Sequence, residues 1–93
     1  MDLQKIVYLG DALSHPLRIK ILKKLLEGEK NIYELAKEMG ISRQLLYLHL
    51  RRLEKADLVE SDLRLERNKA KKYYRIKDFS YKIDVELIKS IDI

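Results

Sequence analysis

Residues 31–59, NIYELAKEMGISRQLLYLHLRRLEKADLV, constrain this chain more than any other stretch, because they spell a helix, a sharp turn and a second helix with basic side chains. Asn31 is placed to cap the first helix, with Glu34 at the reciprocal position of a capping box. Leu35, Ala36 and Met39 follow at the spacing of an inward face. Gly40 supplies the left-handed residue that a sharp turn needs, Ile41 closes the corner, and Ser42 caps a second helix running to about Ala56. A helix-turn-helix of this kind is a candidate reading head for nucleic acid.

The rest of the chain narrows the surroundings of that motif. Its 93 residues make one domain, 1–93, too small for a large core, so a strong or obligate homodimer is expected to supply further buried surface. A content of 46% hydrophobic and 38% charged residues excludes a disordered chain, and a net charge of +5 suits a polyanionic partner. The absence of cysteine removes disulfides, thiolate metal sites and thiol switches together. With no signal peptide and no apolar run near the roughly 18 residues of a membrane span, a soluble, cytoplasmic protein without membrane association is expected. Abundant Lys, Glu and Ile beside only two glutamines, Gln4 and Gln44, lean toward a thermophilic source.

Charge is unevenly spread. Residues 1–41 carry +1, residues 42–57 carry +2, residues 58–77 carry +4 and residues 78–93 carry −2. Leu3, Ile6, Val7, Leu9 and Leu13 recur at helical spacing, which predicts an amphipathic first helix ended by Ser14-His15-Pro16. Ser14 or His15 caps a second helix with Pro16 in its first turn. Leu17, Ile19, Ile21, Leu22, Leu25 and Leu26 make that helix apolar over a wide arc, so it should be the most buried, closing at Gly28. After the motif, residues 58–66 alternate, with Val59, Ser61, Leu63 and Leu65 on one face. A turn at residues 67–70 then leads to a return strand at 71–76, making a basic hairpin. In the tail, alternation predicts a strand near 79–83, followed by a short helix from about 85 to 91.

Helix, helix, helix-turn-helix, basic hairpin and apolar tail is the order of a winged helix-turn-helix, a mainly α fold with a small β-hairpin. The block ALSHPLRIKIL at residues 12–22, the pattern Leu35-Ala36, Ile41-Ser42, His49-Leu50, Leu53 and Leu58-Val59, and the closing Tyr73-Tyr74-Arg75-Ile76 resemble the ArsR-type winged-helix repressors of bacteria and archaea. The resemblance covers about residues 3–77, and the tail is similar to variable archaeal relatives. It implies a homodimer that binds operator DNA, with the second motif helix in the major groove and the wing on phosphates. It also marks departures. Family members that sense metals through cysteines carry them where this chain has Asn31-Ile32-Tyr33, and the alternative site on a C-terminal helix needs histidine, absent from residues 78–93. Neither a metal nor another cofactor is expected. Asp57 stands where relatives often carry Gly, and Asp tolerates the left-handed conformation better than most residues.

On the second motif helix, Leu46, Leu50 and Leu53 share the inward face, and Ser42, Arg43, Gln44, Leu45, Tyr47, Leu48 and Arg51 are the candidate DNA-binding set. Arg43 and Arg51 can address guanine or phosphate, Gln44 can pair with adenine, and Ser42 with the helix N-terminus can anchor a phosphate. Leu45 and Leu48 either meet thymine methyls or belong to the core of a helix rotated from this assignment. His49 reads as a partly buried structural residue, and His15 as a helix end or cap. In the wing, Arg64, Arg67, Lys69, Lys71 and Lys72 are the phosphate candidates. Tyr73 and Tyr74 read as sheet and core residues, while Tyr8, Tyr33 and Tyr81 fall on apolar faces. Leu3, Ile6, Val7, Leu87, Ile88 and Ile91 are the candidate dimer interface.

The leading expectation is a sequence-specific, double-stranded-DNA-binding transcription regulator, a repressor, acting on a two-fold-related site. A protein-interaction winged helix and a non-specific architectural DNA binder are the alternatives. No nucleophile-base pair, acidic dyad, metal ligand set or phosphate loop points to an enzyme. Operator, regulated genes, sign of regulation and any small-molecule effector are not written in the sequence.

Overall fold

Every helix of the chain starts at a side chain that accepts one of its free amide hydrogens, which fixes where the helices begin. The computed structural model describes all 93 residues, in the order α1 (Leu3–Ala12), α2 (Pro16–Leu25), β1 (Lys30–Asn31), α3 (Ile32–Met39), α4 (Arg43–Lys55), β2 (Val59–Glu66), β3 (Lys69–Ile76) and α5 (Val85–Lys89). Asp2 accepts from the Lys5 amide at 2.8 Å, His15 Nδ1 from the Leu17 amide at 3.1 Å, and Ser42 Oγ from the Leu45 amide at 3.1 Å. Asn31 and Glu34 form the full capping box, at 2.9 and 3.2 Å.

The two motif helices end alike. At Gly40, with φ 66°, the Ile41 amide reaches back to the Ala36 carbonyl and the Gly40 amide to that of Lys37. At Asp57, with φ 62°, the Leu58 amide reaches Leu53 and the Asp57 amide reaches Glu54. Both are Schellman endings, in which a left-handed residue lets two amides satisfy the last carbonyls. Asp57 therefore does what a glycine usually does, and its carboxylate also binds Lys77 Nζ at 2.7 Å.

Helix α4 is the hub, packed against α1, α2, α3 and β2, while α2 and α3 reach β3. Leu9, Ile21, Leu25, Leu35, Leu46, Leu50, Leu53, Leu58 and Tyr74 form the centre of the core. The sheet order is β1-β3-β2, antiparallel throughout. These five helices and three short strands make a winged helix-turn-helix.

Several expectations are corrected. Strand β1, pairing Lys30 with Tyr74 and Asn31 with Tyr73, was not foreseen, because two residues are too few to show alternation. The hairpin turn is only Arg67-Asn68, both at positive φ, so β3 begins at Lys69. Two residues of left-handed backbone match the twist of the flanking strands. Of the face shared by Val59, Ser61, Leu63 and Leu65, Val59 is buried while Leu63 and Leu65 are 68% and 76% exposed, because the wing extends past the core.

Helix α2 buries the largest share of its residues of any helix, as its wide apolar arc predicts, but along one face only. Its inner face is Arg18, Ile21, Leu22 and Leu25, while Ile19 is exposed and so is Leu26 just beyond its end. Residues 79–83 form no strand: the last ladder-like bond is Lys77 N–H to the Leu58 carbonyl, and the chain pairs with neither outer edge of the sheet beyond it. Only Phe79 of that alternating run packs on the core; Tyr81 and Ile83 are exposed. The tail helix stops at Lys89 and buries none of its residues. Tyr33 is also exposed, not on a buried apolar face.

Candidate nucleic-acid interface

The spacing of α4 sorts its side chains into separate stripes. Leu46, Leu50 and Leu53 are fully buried, as their spacing predicts. Gln44, Leu48, Arg51 and Lys55, at i, i+4, i+7 and i+11, are all exposed and line the opposite face. No carboxylate interrupts this outer stripe, and Lys55 belongs to it although it was not singled out from sequence. Its position four residues after Arg51 was the available signal.

The two leucines in question are both outside the core, so the rotated-helix alternative is excluded. Leu48 is 55% exposed, and Leu45 is 39% exposed on a different stripe that continues through His49 and Arg52. Tyr47, grouped with the outward residues from sequence, is half-buried and packs against the core. Arg43 lies over the Tyr33 ring, its guanidinium carbon 4.8 Å from the centroid, so the exposed tyrosine of α3 seats a cation of α4. Ser42 is exposed at the helix start, its hydroxyl already accepting from the Leu45 amide.

Beneath α4, the buried Arg18 of α2 fixes the helix from inside. Its Nε donates to the Ala12 carbonyl at 2.9 Å and its Nη2 to the Asp11 carbonyl at 2.8 Å and to Ser14 Oγ at 3.1 Å. Its Nη1 meets His49 Nδ1 at 3.0 Å. The side chain thereby ties the end of α1 to α4 through α2. From the outside, Arg52 grips both carboxylate oxygens of Asp11 at 2.8 Å, and this holds the Asp11 carboxyl below its ordinary range. Arg18 shares a helical face with Ile21, Leu22 and Leu25, and that charged member of an apolar stripe was the sequence signal for its structural role.

The wing divides into a neutralised base and a charged tip. Arg64, counted from sequence among the phosphate candidates, is committed elsewhere: it holds Glu29 at 2.9 and 2.8 Å and Asp62 at 2.9 Å. Arg75 binds Glu60 and the same Asp62. These hydrogen bonds, Arg75 first and Arg64 next, lower the Asp62 pKa, and Arg64 lowers that of Glu29. Lys71 approaches Glu66 at 4.0 Å, and the Tyr73 hydroxyl donates to the same carboxylate. Arg67, Lys69 and Lys72 make no ion pair, although Lys72 lies over the Tyr74 ring at 5.5 Å. Lys69 and Lys71 join Arg43, Asn31, Tyr33 and Glu34 around a cleft between the wing and the starts of α3 and α4.

Of the interface residues expected on the first helix and tail, Leu3, Val7 and Ile88 are exposed, while Ile6, Leu87 and Ile91 are half-buried. No helix is long and apolar enough to cross a membrane.

Comparison with known proteins bears directly on this arrangement. The family model described as bacterial regulatory protein, arsR family, matches residues 15–61, which run from the cap of α2 into β2. The chain is 55% identical, over 98% of its length and 96% of the relative's, to an uncharacterized HTH-type transcriptional regulator of Methanocaldococcus jannaschii. A homodimeric winged helix-turn-helix DNA-binding domain from Mycobacterium bovis, a possible ArsR-family regulator, superposes with a TM-score of 0.68 at 30% identity, over 80% of this chain and 65% of that one. The transcriptional repressor BigR from Xylella fastidiosa gives 0.67 at 28% identity, over 81% and 72%.

Proposed function

The chain belongs to the ArsR family of regulatory proteins, and from that premise we propose that it is a DNA-binding transcriptional regulator, a repressor that acts as a homodimer on a specific double-stranded operator. The observation that carries this reading is the outer stripe of α4: exposed Gln44, Leu48, Arg51 and Lys55, free of carboxylates, beside a wing tip on which Arg67, Lys69 and Lys72 make no ion pair and Lys71 only approaches Glu66 at 4.0 Å. A helix of this profile fits the major groove, with base edges met by Gln44 and Arg51.

Arg67, Lys69, Lys71 and Lys72 of the wing, with Arg43 and Ser42 at the helix start, serve the phosphates. Arg64 orders the wing by holding Glu29 and Asp62. The exposed faces of α1 and α5, through Leu3, Val7 and Ile88 with Ile6, Leu87 and Ile91 behind them, join two copies. A self-complementary contact of that kind sets two reading helices about one helical turn of DNA apart. The homodimeric state of the Mycobacterium bovis domain supports this part of the reading.

Binding of the full chain to random duplex at two salt concentrations, followed by selection from a random duplex library and footprinting, tests the proposal. A two-fold-symmetric enriched motif and affinity falling steeply with salt are expected. Absent or salt-insensitive binding overturns it in favour of a protein-docking role for the exposed Leu45 and Leu48. Salt-sensitive binding without an enriched motif favours an architectural role.

A further inference from the structure

Resting on the reading of α4 as the DNA-contacting helix, we propose that Leu48, and not Leu45, is a specificity residue that reads the methyl group of a thymine lying between the bases addressed by Gln44 and Arg51. The two leucines are three residues apart, yet the helix sends them to different places. Leu45 continues into His49, which is buried, and Arg52, which is bound to Asp11 of α1, so its stripe turns toward α1. Leu48 sits in the middle of the stripe whose every member is exposed.

The surroundings of Leu48 select the partner. With Val7 and Tyr8 of α1 it lines an open groove edged by Arg51, Arg52, Lys55 and one carboxylate, Asp11. Arg52 is spent on Asp11 and Lys55 lies 4.9 Å over the Tyr8 ring, which leaves Arg51 without a partner of its own. An apolar side chain set among cations suits a polyanion that also presents an apolar group. The DNA major groove presents one such group, the C5 methyl of thymine. An acidic protein surface offers the charge but no reason for a single leucine centred between a glutamine and an arginine.

Spacing makes the reading specific. Along the helix axis Gln44 and Leu48 are about 6 Å apart, and Leu48 and Arg51 about 4.5 Å. Base pairs follow one another at about 3.4 Å. The three side chains therefore address positions one or two steps apart, adenine for Gln44, thymine for Leu48 and guanine for Arg51.

Replacing thymine by deoxyuridine removes the methyl and leaves pairing and phosphates intact, so it isolates the contact. Each thymine of the half-site selected by the full-length protein is replaced in turn. One position is expected to weaken wild-type binding about fourfold, the worth of one buried methyl-sized group. Leu48→Ala should bind the thymine and uracil versions equally, and Leu45→Ala should still discriminate. A wild type indifferent at every thymine, a half-site without thymine, discrimination surviving in Leu48→Ala, or its loss in Leu45→Ala overturns the assignment while the regulator reading stands. A library without any enriched motif is a separate failure, which takes the regulator reading and this assignment together.

Discussion

Arg18 and His49 meet at 3.0 Å inside the core, a cation of α2 against a ring nitrogen on the inner face of α4. Arginine only donates, so Nδ1 of His49 must accept, and the ring proton sits on Nε2. That Nε2 is buried without a partner. The histidine is thus held neutral, with the His15 ring tilted against it at 4.7 Å between ring centroids and Arg52 also nearby.

A pH dependence follows from this pair. Burial first, then the charges of His15, Arg18 and Arg52, lowers the His49 pKa below its ordinary value near 6.5. The unfolded chain then binds a proton more readily than the folded one. The contribution is fully present above about pH 6.5 and is lost as pH falls from there through the depressed folded value. Denaturant titrations between pH 7.5 and 5 should show falling stability. His49→Gln, whose amide oxygen can still accept from Arg18, should flatten that slope; an unchanged slope would assign it to another group.

Arg18→Ala leaves the Ala12 and Asp11 carbonyls and His49 Nδ1 without their donor. With bonds to a charged donor worth about 1.5–3 kcal/mol each, and some relief from water, a loss of about 3 kcal/mol is expected. Arg18→Lys should recover little, since an ammonium on a single stem cannot span four acceptors arranged around a planar fork. Urea midpoints at pH 7.5 measure both.

What could be read from the chain and what could not divide along physical lines. The caps at Asn31 and Ser42, the left-handed turns at Gly40 and Asp57, and the buried stripe of α4 are local: each depends on residues within a few positions of one another. Most of the corrections depend on distant partners. Whether residues 79–83 form a strand depends on whether the chain reaches a sheet edge, whether Leu63 and Leu65 are covered depends on how far the core extends, and Arg64 is withdrawn from the wing's outer charge by Glu29, 35 residues away. Binding character was legible from the density of basic residues, but which cations are free was not, because ion pairs across the fold leave no spacing in sequence.

The capping box is expected to be worth its usual amount. Asn31→Ala removes the acceptor for the Glu34 amide and should cost about 1 kcal/mol, measured by thermal or urea unfolding. Gly40→Ala meets no atom within 4 Å of the new Cβ, so its cost comes from the left-handed backbone alone, about 1–2 kcal/mol. A much larger loss at Gly40 would mean that the turn between α3 and α4 is held by more than its conformation.

Free and committed wing cations should separate in a salt titration. Arg67→Ala or Lys69→Ala, if each removes one phosphate contact, should lower the slope of log affinity against log salt by about 1. Arg64→Ala should leave that slope close to wild type and instead loosen the hairpin, since its guanidinium bridges Glu29 and Asp62. Equal slope changes for Arg64 and Arg67 would place both on DNA and remove the distinction between wing base and wing tip.

Association of two copies is the last expectation with a direct measurement. The radius of gyration is 15.0 Å, against about 12 Å for a compact chain of this length, and α5 buries none of its residues. A helix with exposed Val85 and Ile88 gains little from folding on its own chain. Covering Val7 of α1 and Ile88 of α5 with a second copy removes both exposed faces at once. Leu3→Glu with Ile88→Glu should shift sedimentation from dimer to monomer and weaken operator binding far more than it weakens each reading helix. The outer stripe of α4 is untouched in that variant, so residual binding to a single half-site at high protein concentration is expected. A dimer that survives both changes would move the interface away from α1 and α5.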